Sequence, residues 1–191
     1  MKVSREQAAA NRARIIEVAS RLFRERGLDG VGVADLMNDA GLTHGGFYGH
    51  FSSKEELMAR ACERTLANSA ARWTKVCAGA DDKPFAAIAK YYLSTRHRDD
   101  PGRGCAVAAL ATEVPRHGPK VRHAFSQGVR ALVDVLTNVV PGKSRAAKRK
   151  AALASFASMV GAVVLARAVD DAKLSEEILK AVSASIEQAA A

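Results

Sequence analysis

Apolar residues recur along this chain at intervals of three and four, the spacing of one face of an α-helix. In the first such segment, from about Ser4 to Arg26, one stripe contains Ile15, Ala19 and Leu22, and Gly27 follows as a stop signal. The five prolines all stand between periodic segments, where they end or begin helices. We find no alternating strand pattern flanked by hairpin turns, so the sequence predicts an all-α fold.

The same periodicity predicts about nine helices. A short second helix runs from about Val33 to Ala40, a third follows Thr43, and a fourth begins at Ser53 and continues as one long helix to about Val76. Later helices are predicted near residues 84–95, 105–113, 120–138, 145–168 and 174–188. We expect an N-terminal three-helix domain over residues 1–58 and a C-terminal helical domain over residues 59–191.

Residues at the predicted helix ends fit their positions. Gly41 can take the left-handed conformation that follows a helix C-terminus. The Thr43 hydroxyl is placed to accept from the free amides of the third helix. Ser53 and Glu56 have the spacing of a capping box at the start of the fourth helix.

The third helix has two distinct faces. Phe47 and Phe51 lie four residues apart and would share a core face, whereas His44 and Tyr48 share a different one. With three glycines, this helix is too small to be a core element. The order of elements predicts a helix-turn-helix formed by the second and third helices of the chain. The third helix would contact double-stranded DNA.

The charge distribution only weakly supports a nucleic-acid partner. The net charge of +9 suits a polyanion. However, residues 27–60 carry two Lys or Arg and five acids, whereas residues 61–150 carry seventeen and seven. The prediction of DNA binding therefore rests on the motif and not on net charge.

Cysteines and hydropathy place the chain in a reducing cytoplasm. Cys62, Cys77 and Cys105 are odd in number and lack metal-ligand spacing, which favours free thiols and no metal site. The longest apolar run, residues 151–166, is short for a membrane span and is better explained as a buried interface helix. We expect no membrane association and no cofactor.

Residues 41–57, GLTHGGFYGHFSSKEEL, resemble the recognition segment of the tetracycline-repressor (TetR) family. The shared pattern is Thr-x-Gly-x-Phe-Tyr-x-His-Phe-x-x-Lys, and the spacing from Ile15 to Gly30 is also similar. The resemblance covers about residues 10–58. The stretch from Gly104 to Glu113 is more weakly similar to one branch of the family.

The resemblance implies a homodimer whose third helices enter successive major grooves of a near-palindromic operator. Thr43, Tyr48, His50 and Lys54 match phosphate-contacting positions. Gly45, Gly46 and Gly49 would let the backbone approach the groove, and His44 is the best candidate for reading bases. The family usually has Ser or Thr where this chain has Gly32, so a phosphate contact there is in doubt.

For the C-terminal domain, the resemblance implies dimerisation and a pocket for a small molecule. Helices near 145–168 and 174–188 would form the interface between subunits, since the first is apolar nearly all round and the second has an apolar stripe. We expect an apolar ligand. The candidate lining residues are Trp73, Phe85, Tyr91, Tyr92, Cys105, Leu110, Phe125 and Met159.

The resulting prediction is a ligand-responsive transcriptional repressor that is not an enzyme. An alternative is a repressor that senses electrophiles or oxidants through Cys105, because the amides of a helix start would lower the pKa of its thiol. Two weaker alternatives are a small cysteine-dependent enzyme and an interaction protein that has lost DNA recognition.

Overall fold

The computed structural model describes residues 4–190 and has helices and no strands over that range, which confirms the predicted fold class. Nine α-helices are present among these residues: α1 (Arg5–Arg26), α2 (Val33–Asp39), α3 (Lys54–Ala78), α4 (Pro84–Tyr92), α5 (Thr95–Asp99), α6 (Ala106–Leu110), α7 (Pro119–Val139), α8 (Arg145–Ala168) and α9 (Ala172–Ala190). Three short 3₁₀ helices join them: η1 (His44–Gly49), η2 (Pro101–Arg103) and η3 (Val114–Arg116). Residues 1–3 and 191 of the two predicted domains lie outside the described residues.

The N-terminal helices pack around a small apolar core. Ile15 and Leu22 of α1 contribute to it, as do Leu36 of α2 and Phe47 of η1, and all four are fully buried. Gly41 follows α2 with φ of +66°, a left-handed conformation that favours glycine, so its predicted role as a helix stop is confirmed.

The third helix is a 3₁₀ helix rather than the predicted α-helix. The amide of Gly46 donates to Thr43 O at 3.0 Å and that of His50 to Phe47 O at 2.9 Å, both spanning three residues. Three glycines in six residues give weak α-helical propensity, which explains the tighter form. Thr43 occupies the N-cap position but its hydroxyl makes no capping hydrogen bond, so that prediction was wrong.

The predicted capping box at α3 forms only in part. The Ser53 hydroxyl accepts from the Glu56 amide at 3.1 Å, as expected. The Glu56 carboxylate, however, accepts from the amide and hydroxyl of Ser52, at 2.8 and 2.7 Å, and not from Ser53. It therefore fixes the residue before the cap.

Helix α3 joins the two ends of the molecule. Its N-terminal half contacts α1, and the helix also packs along α7, which in turn packs on α8. Two predicted helices are interrupted: the segment 84–95 ends at Tyr92 before a separate α5, and the segment 105–113 contains only the short α6 followed by η3. Pro115 lies in η3 and lacks the amide that a continuing helix would use.

Side-chain contacts connect α1 to the C-terminal helices. The Arg24 guanidinium donates to Gly102 O at 2.9 Å through Nε and to the Thr65 hydroxyl at 2.7 Å. The Glu113 carboxylate accepts from the Leu28 amide at 2.7 Å. Movement of η2 or η3 is thereby linked mechanically to the end of α1.

By length and composition alone, α8 could cross a membrane, and most of its apolar window is not buried within the single chain. One face of α8 packs against α7 and α9. Leu153 and Leu165 of α8 and Leu174 of α9 remain exposed. The helix therefore belongs to the helical core on one side and presents apolar side chains on the other.

Candidate nucleic-acid interface and ligand cavities

The exposed face of η1 is held by aromatic residues on its opposite side. Phe47 is fully buried and Phe51 nearly so, with ring centroids 5.6 Å apart. Tyr48 packs edge-on to Phe47 at 5.2 Å, yet its side chain is 68% exposed. The predicted division between a core face and an outward face is confirmed.

An arginine of α1 supports the segment that follows η1. The Arg12 guanidinium donates to His50 O at 3.3 Å and to the Glu56 carboxylate at 3.1 Å, and it lies 4.5 Å above the Phe51 ring. Hydrogen bonds from Ser52, followed by the charge of Arg12, lower the pKa of Glu56. Arg12 is therefore engaged within its own domain.

The predicted DNA-contacting residues lie in η1, at its two caps and at the first residue of α3. Thr43, His44, Gly45 and Tyr48 are exposed, whereas Gly46, His50 and Lys54 are half-buried. Lys54 begins α3, where unpaired backbone amides also attract anions.

The glycines of η1 are not all required by packing within the chain. A Cβ added at Gly45 or Gly49 would meet no atom within 4 Å, whereas one at Gly46 would be 3.6 Å from the Thr43 hydroxyl. Neither Gly45 nor Gly49 has a positive φ. The absence of side chains at these two exposed positions therefore leaves space for a binding partner to approach the backbone of η1.

The predicted pocket residues do not line one common cavity. Trp73, Tyr92 and Cys105 border a recess of about 10 Å³, and Tyr91 borders both this recess and an adjoining cavity of about 270 Å³. Phe85 lies elsewhere, beside a groove of about 520 Å³ between the start of α4 and the end of α7. Leu110, Phe125 and Met159 pack into the apolar core.

Aromatic packing explains why the inner recess is small. Trp73 is edge-on to Tyr92 at 5.7 Å and to Phe156 at 5.6 Å. The three side chains fill the space between α3, α4 and α8, where the sequence predicted an apolar ligand. The larger adjoining cavity opens on the outer side, among polar and charged residues.

The surroundings of Cys105 contradict the predicted lowering of its pKa. Burial raises the pKa of this thiol, although the amides of Val107 and Ala108 and the charge of Arg24 act in the opposite direction. Desolvation dominates because the side chain is buried and α6 has only five residues to supply a helix dipole.

His97 is fixed beside Cys105 by its backbone contacts. Its Nδ1 lies 2.6 Å from Tyr92 O and must therefore carry a proton, while Nε2 accepts from the Cys105 amide at 2.9 Å. Burial, followed by the nearby charges of Arg167 and Arg72, lowers its pKa to about 4 despite the bond to Tyr92 O. With both nitrogens engaged, the imidazole is not positioned as a base for the thiol.

Two groups of residues were not predicted from the sequence. Arg72, Arg96 and Arg103 meet around the 270 Å³ cavity although they belong to separate elements. At the junction of the domains, Asp29, Glu113 and His117 bring one potential metal-ligating atom each within 4.8 Å of one another. Sequence spacing gives no signal for either group, since their members are not in register on any one helix.

A family model described as "Bacterial regulatory proteins, tetR family" matches residues 15–61, which contain most of α1, α2, η1 and the start of α3. The transcriptional repressor NemR of Escherichia coli is 26% identical over 132 residues, or 68% of this chain and 66% of NemR. The regulator TtgR of Pseudomonas putida is 44% identical over 55 residues, or 29% of this chain and 26% of TtgR. The aligned region thus spans just under two thirds of NemR.

Solved structures extend the similarity in fold to the C-terminal helices. The reduced form of E. coli NemR superposes with a TM-score of 0.79 at 23% identity, covering 94% of this chain and 96% of NemR. A TetR-family regulator from Agrobacterium tumefaciens gives a TM-score of 0.80 at 22% identity, covering 96% of this chain and all of that one. The chain therefore carries the region shared by TetR-family bacterial regulatory proteins at residues 15–61, and over the rest of its length it has the fold of TetR-family regulators.

Proposed function

We propose that this protein is a homodimeric repressor that binds a near-palindromic operator and is released by a small molecule. The observation that carries DNA binding is the outward face of η1, where Tyr48 is exposed above a buried Phe47 and two glycines are free of packing constraints. Hydroxyl, imidazole and ammonium donors at Tyr48, His50 and Lys54 would contact phosphates.

Dimerisation is supported by apolar side chains that the single chain leaves exposed. Leu153 and Leu165 lie on α8 and Leu174 on α9, the two helices of the predicted interface. On α9, however, Leu179 and Ile186 are buried within the protomer, so Leu174 is the main apolar side chain this helix offers a partner. Two-fold symmetry would space the η1 segments by one turn of DNA, about 34–36 Å.

Operator selection from random double-stranded DNA tests the proposal directly. We expect a near-palindrome to be enriched, and the salt dependence of its affinity to follow the number of phosphates contacted. Failure of the purified dimer to retain any duplex at low ionic strength would contradict it.

Tyr48→Ala and Lys54→Ala are expected to weaken binding to all duplexes and to reduce the salt slope by about 1 for each lost phosphate contact. Arg130→Ala on α7 provides an exposed control outside this face. If the parent protein, the two variants and the control have equal salt slopes, Tyr48 and Lys54 do not contact phosphates.

Release by a ligand would act through the contacts that join the domains. A ligand that favours a different arrangement of α4, η2 and η3 would shift α1 through the Arg24–Gly102 and Glu113–Leu28 hydrogen bonds. The changed separation of the two η1 segments would then no longer match successive grooves.

One observation supports the alternative that Cys105 senses electrophiles or oxidants. Amides of Val107 and Ala108 and the Arg24 charge would stabilise a thiolate at Cys105 once burial is relieved. If electrophiles release the operator equally from the parent protein and from Cys105→Ser, this alternative is excluded. A cysteine-dependent enzyme has less support, because His97 is engaged with backbone groups.

A further inference from the structure

The 270 Å³ cavity lies between α3, α4 and the segment that contains α5 and η2. We call it the arginine cavity, because its walls include Arg72, Arg96 and Arg103, together with Tyr91 and His97. Its volume is slightly below the usual range for small-molecule sites, which suits a ligand of modest size. The inner recess of about 10 Å³ shares Arg72, Tyr91, His97 and Arg103 with it and continues inward.

The arginine cavity carries an excess of positive charge. Three guanidinium groups remain charged at all physiological pH values. Asp100 is the acidic residue among the lining side chains, and its carboxylate accepts from the Arg103 amide at 3.1 Å and lies 3.8 Å from the Arg103 guanidinium, which leaves two of the three positive charges without an acidic partner in the lining. His97 is neutral at pH 7, because its pKa is lowered to about 4.

One of these arginines is held in place by the cavity wall. The Arg72 guanidinium donates to the Tyr91 hydroxyl at 3.1 Å and to Arg103 O at 3.2 Å. These bonds connect α3 to α4 and to the end of η2, and they orient the guanidinium at the boundary between cavity and recess. A positioned guanidinium can bind a carboxylate through two parallel hydrogen bonds.

At the inner end, the recess meets a polar atom without a partner. Tyr92 is 1% exposed, and its hydroxyl makes no hydrogen bond within the described part of the chain. Its titratable neighbour is the Cys105 thiol. Burial and this neighbour raise the pKa of Tyr92 well above its usual value, so the hydroxyl remains a donor. The recess has room for one water-sized atom that could accept from it.

We propose that the arginine cavity is the effector site and that its ligand is a small organic anion, namely a carboxylate on a short aromatic or alkyl group. The carboxylate binds Arg72 and Arg103, and an acceptor oxygen, or a water that it holds, satisfies the Tyr92 hydroxyl. The inference rests on the proposed repressor function and replaces the apolar ligand expected from the sequence.

Trp73 supplies a direct measurement of binding. It is the single tryptophan of the chain, borders the recess and is edge-on to Tyr92. Benzoate, phenylacetate and hexanoate are titrated against Trp73 fluorescence in the intact protein, each beside its uncharged amide. We expect at least one carboxylate to saturate the signal at a concentration at least tenfold below that of its amide. If no carboxylate of the series binds more tightly than its matched amide, the proposal is wrong.

Variants locate the binding site. Arg103→Gln and Arg72→Gln are expected to weaken carboxylate binding at least tenfold while leaving amide binding unchanged. Tyr92→Phe should weaken carboxylate binding without unfolding the protein, since it removes only an unpartnered hydroxyl. Arg130→Gln, a change of equal charge on the exposed side of α7, is the control. Equal losses for Arg103→Gln and Arg130→Gln would indicate a nonspecific charge effect and overturn the assignment.

Operator binding separates this inference from the proposed function. Release of selected operator DNA by the carboxylate, but not by its amide, supports both. If the protein binds operator DNA but no carboxylate of the series releases it, the effector assignment is wrong. The DNA-binding function is then unaffected. Carboxylate binding by a protein that retains no duplex would contradict the repressor function instead.

Discussion

His97 illustrates how a residue of ordinary chemistry acquires a distinct role from its position. The sequence offers no acid or nucleophile at a telling spacing from His97, His117 or His123. In the folded chain, His97 donates to Tyr92 O and accepts from the Cys105 amide, and it bounds the arginine cavity. These surroundings therefore keep the His97 imidazole neutral at pH 7.

The lowered pKa of His97 predicts a loss of stability in acid. The unfolded chain takes up a proton near pH 6.5, whereas the folded chain does so only near pH 4. The contribution of His97 is therefore fully present above pH 6.5 and is lost as the pH falls toward 4. The expected decrease in the free energy of unfolding is about 3 kcal/mol between pH 7 and pH 4.

Urea unfolding followed by circular dichroism across this pH range provides the measurement. His97→Asn should flatten the profile between pH 6.5 and 4, while His123→Asn, at an exposed position, should leave it unchanged. Identical profiles for the parent protein and His97→Asn would show that His97 is not responsible.

At the scale of elements, the packing of α3 on α7 determines how the C-terminal domain holds together. These helices approach so closely at one point that a Cβ on Gly128 would lie 2.4 Å from the Leu66 Cβ. Leu66 is fully buried and cannot move away without shifting its helix. Gly128 is therefore a packing requirement inside a helix, where glycine is otherwise unfavourable.

Gly128→Ala should destabilise the protein despite the better helical propensity of alanine. The gain in propensity is about 1 kcal/mol, whereas overpacking costs about 1–3 kcal/mol. We expect a net decrease in the free energy of unfolding of up to about 2 kcal/mol in urea titrations, toward the upper end because the approach is so close. The matched control is Gly79→Ala, where an added Cβ would meet Lys75 O at an ordinary 3.8 Å. A Gly128→Ala protein as stable as the control would contradict this close approach.

The exposed leucines of α8 predict the consequence of breaking the proposed dimer. Leu165 is 55% exposed in the protomer. If α8 meets its counterpart in a second subunit, a carboxylate in place of Leu165 would be buried without a partner, which is strongly unfavourable. Leu165→Glu should therefore give monomers and lower operator affinity by more than tenfold.

Light scattering coupled to size-exclusion chromatography measures this outcome, with Lys90→Glu on α4 as a control that also introduces a carboxylate at an exposed position. The folded content of the protomer should be unchanged, because Leu165 makes little contribution to its core. A Leu165→Glu protein that stays dimeric would place the interface elsewhere.

Local interactions explain why the helices and the DNA-binding motif could be predicted from the sequence. The apolar stripe of α1, the left-handed Gly41 and the alternation of Phe47 and Tyr48 depend on residues within a few positions of one another. The α-helical form of the third helix was wrong because its three glycines weaken the helix, whereas its position and faces were right.

Tertiary structure alone decided the features that join distant parts of the chain. Arg72 and Arg103 meet at one cavity, Glu113 reaches the Leu28 amide, and the aromatic side chains around Trp73 fill the space expected for an apolar ligand. Each of these depends on how far apart two helices come to rest, which side-chain volumes on several elements determine together. The sequence thus determined which surface faces outward at η1, and the packing of the C-terminal helices determined where cavities form and which charges line them.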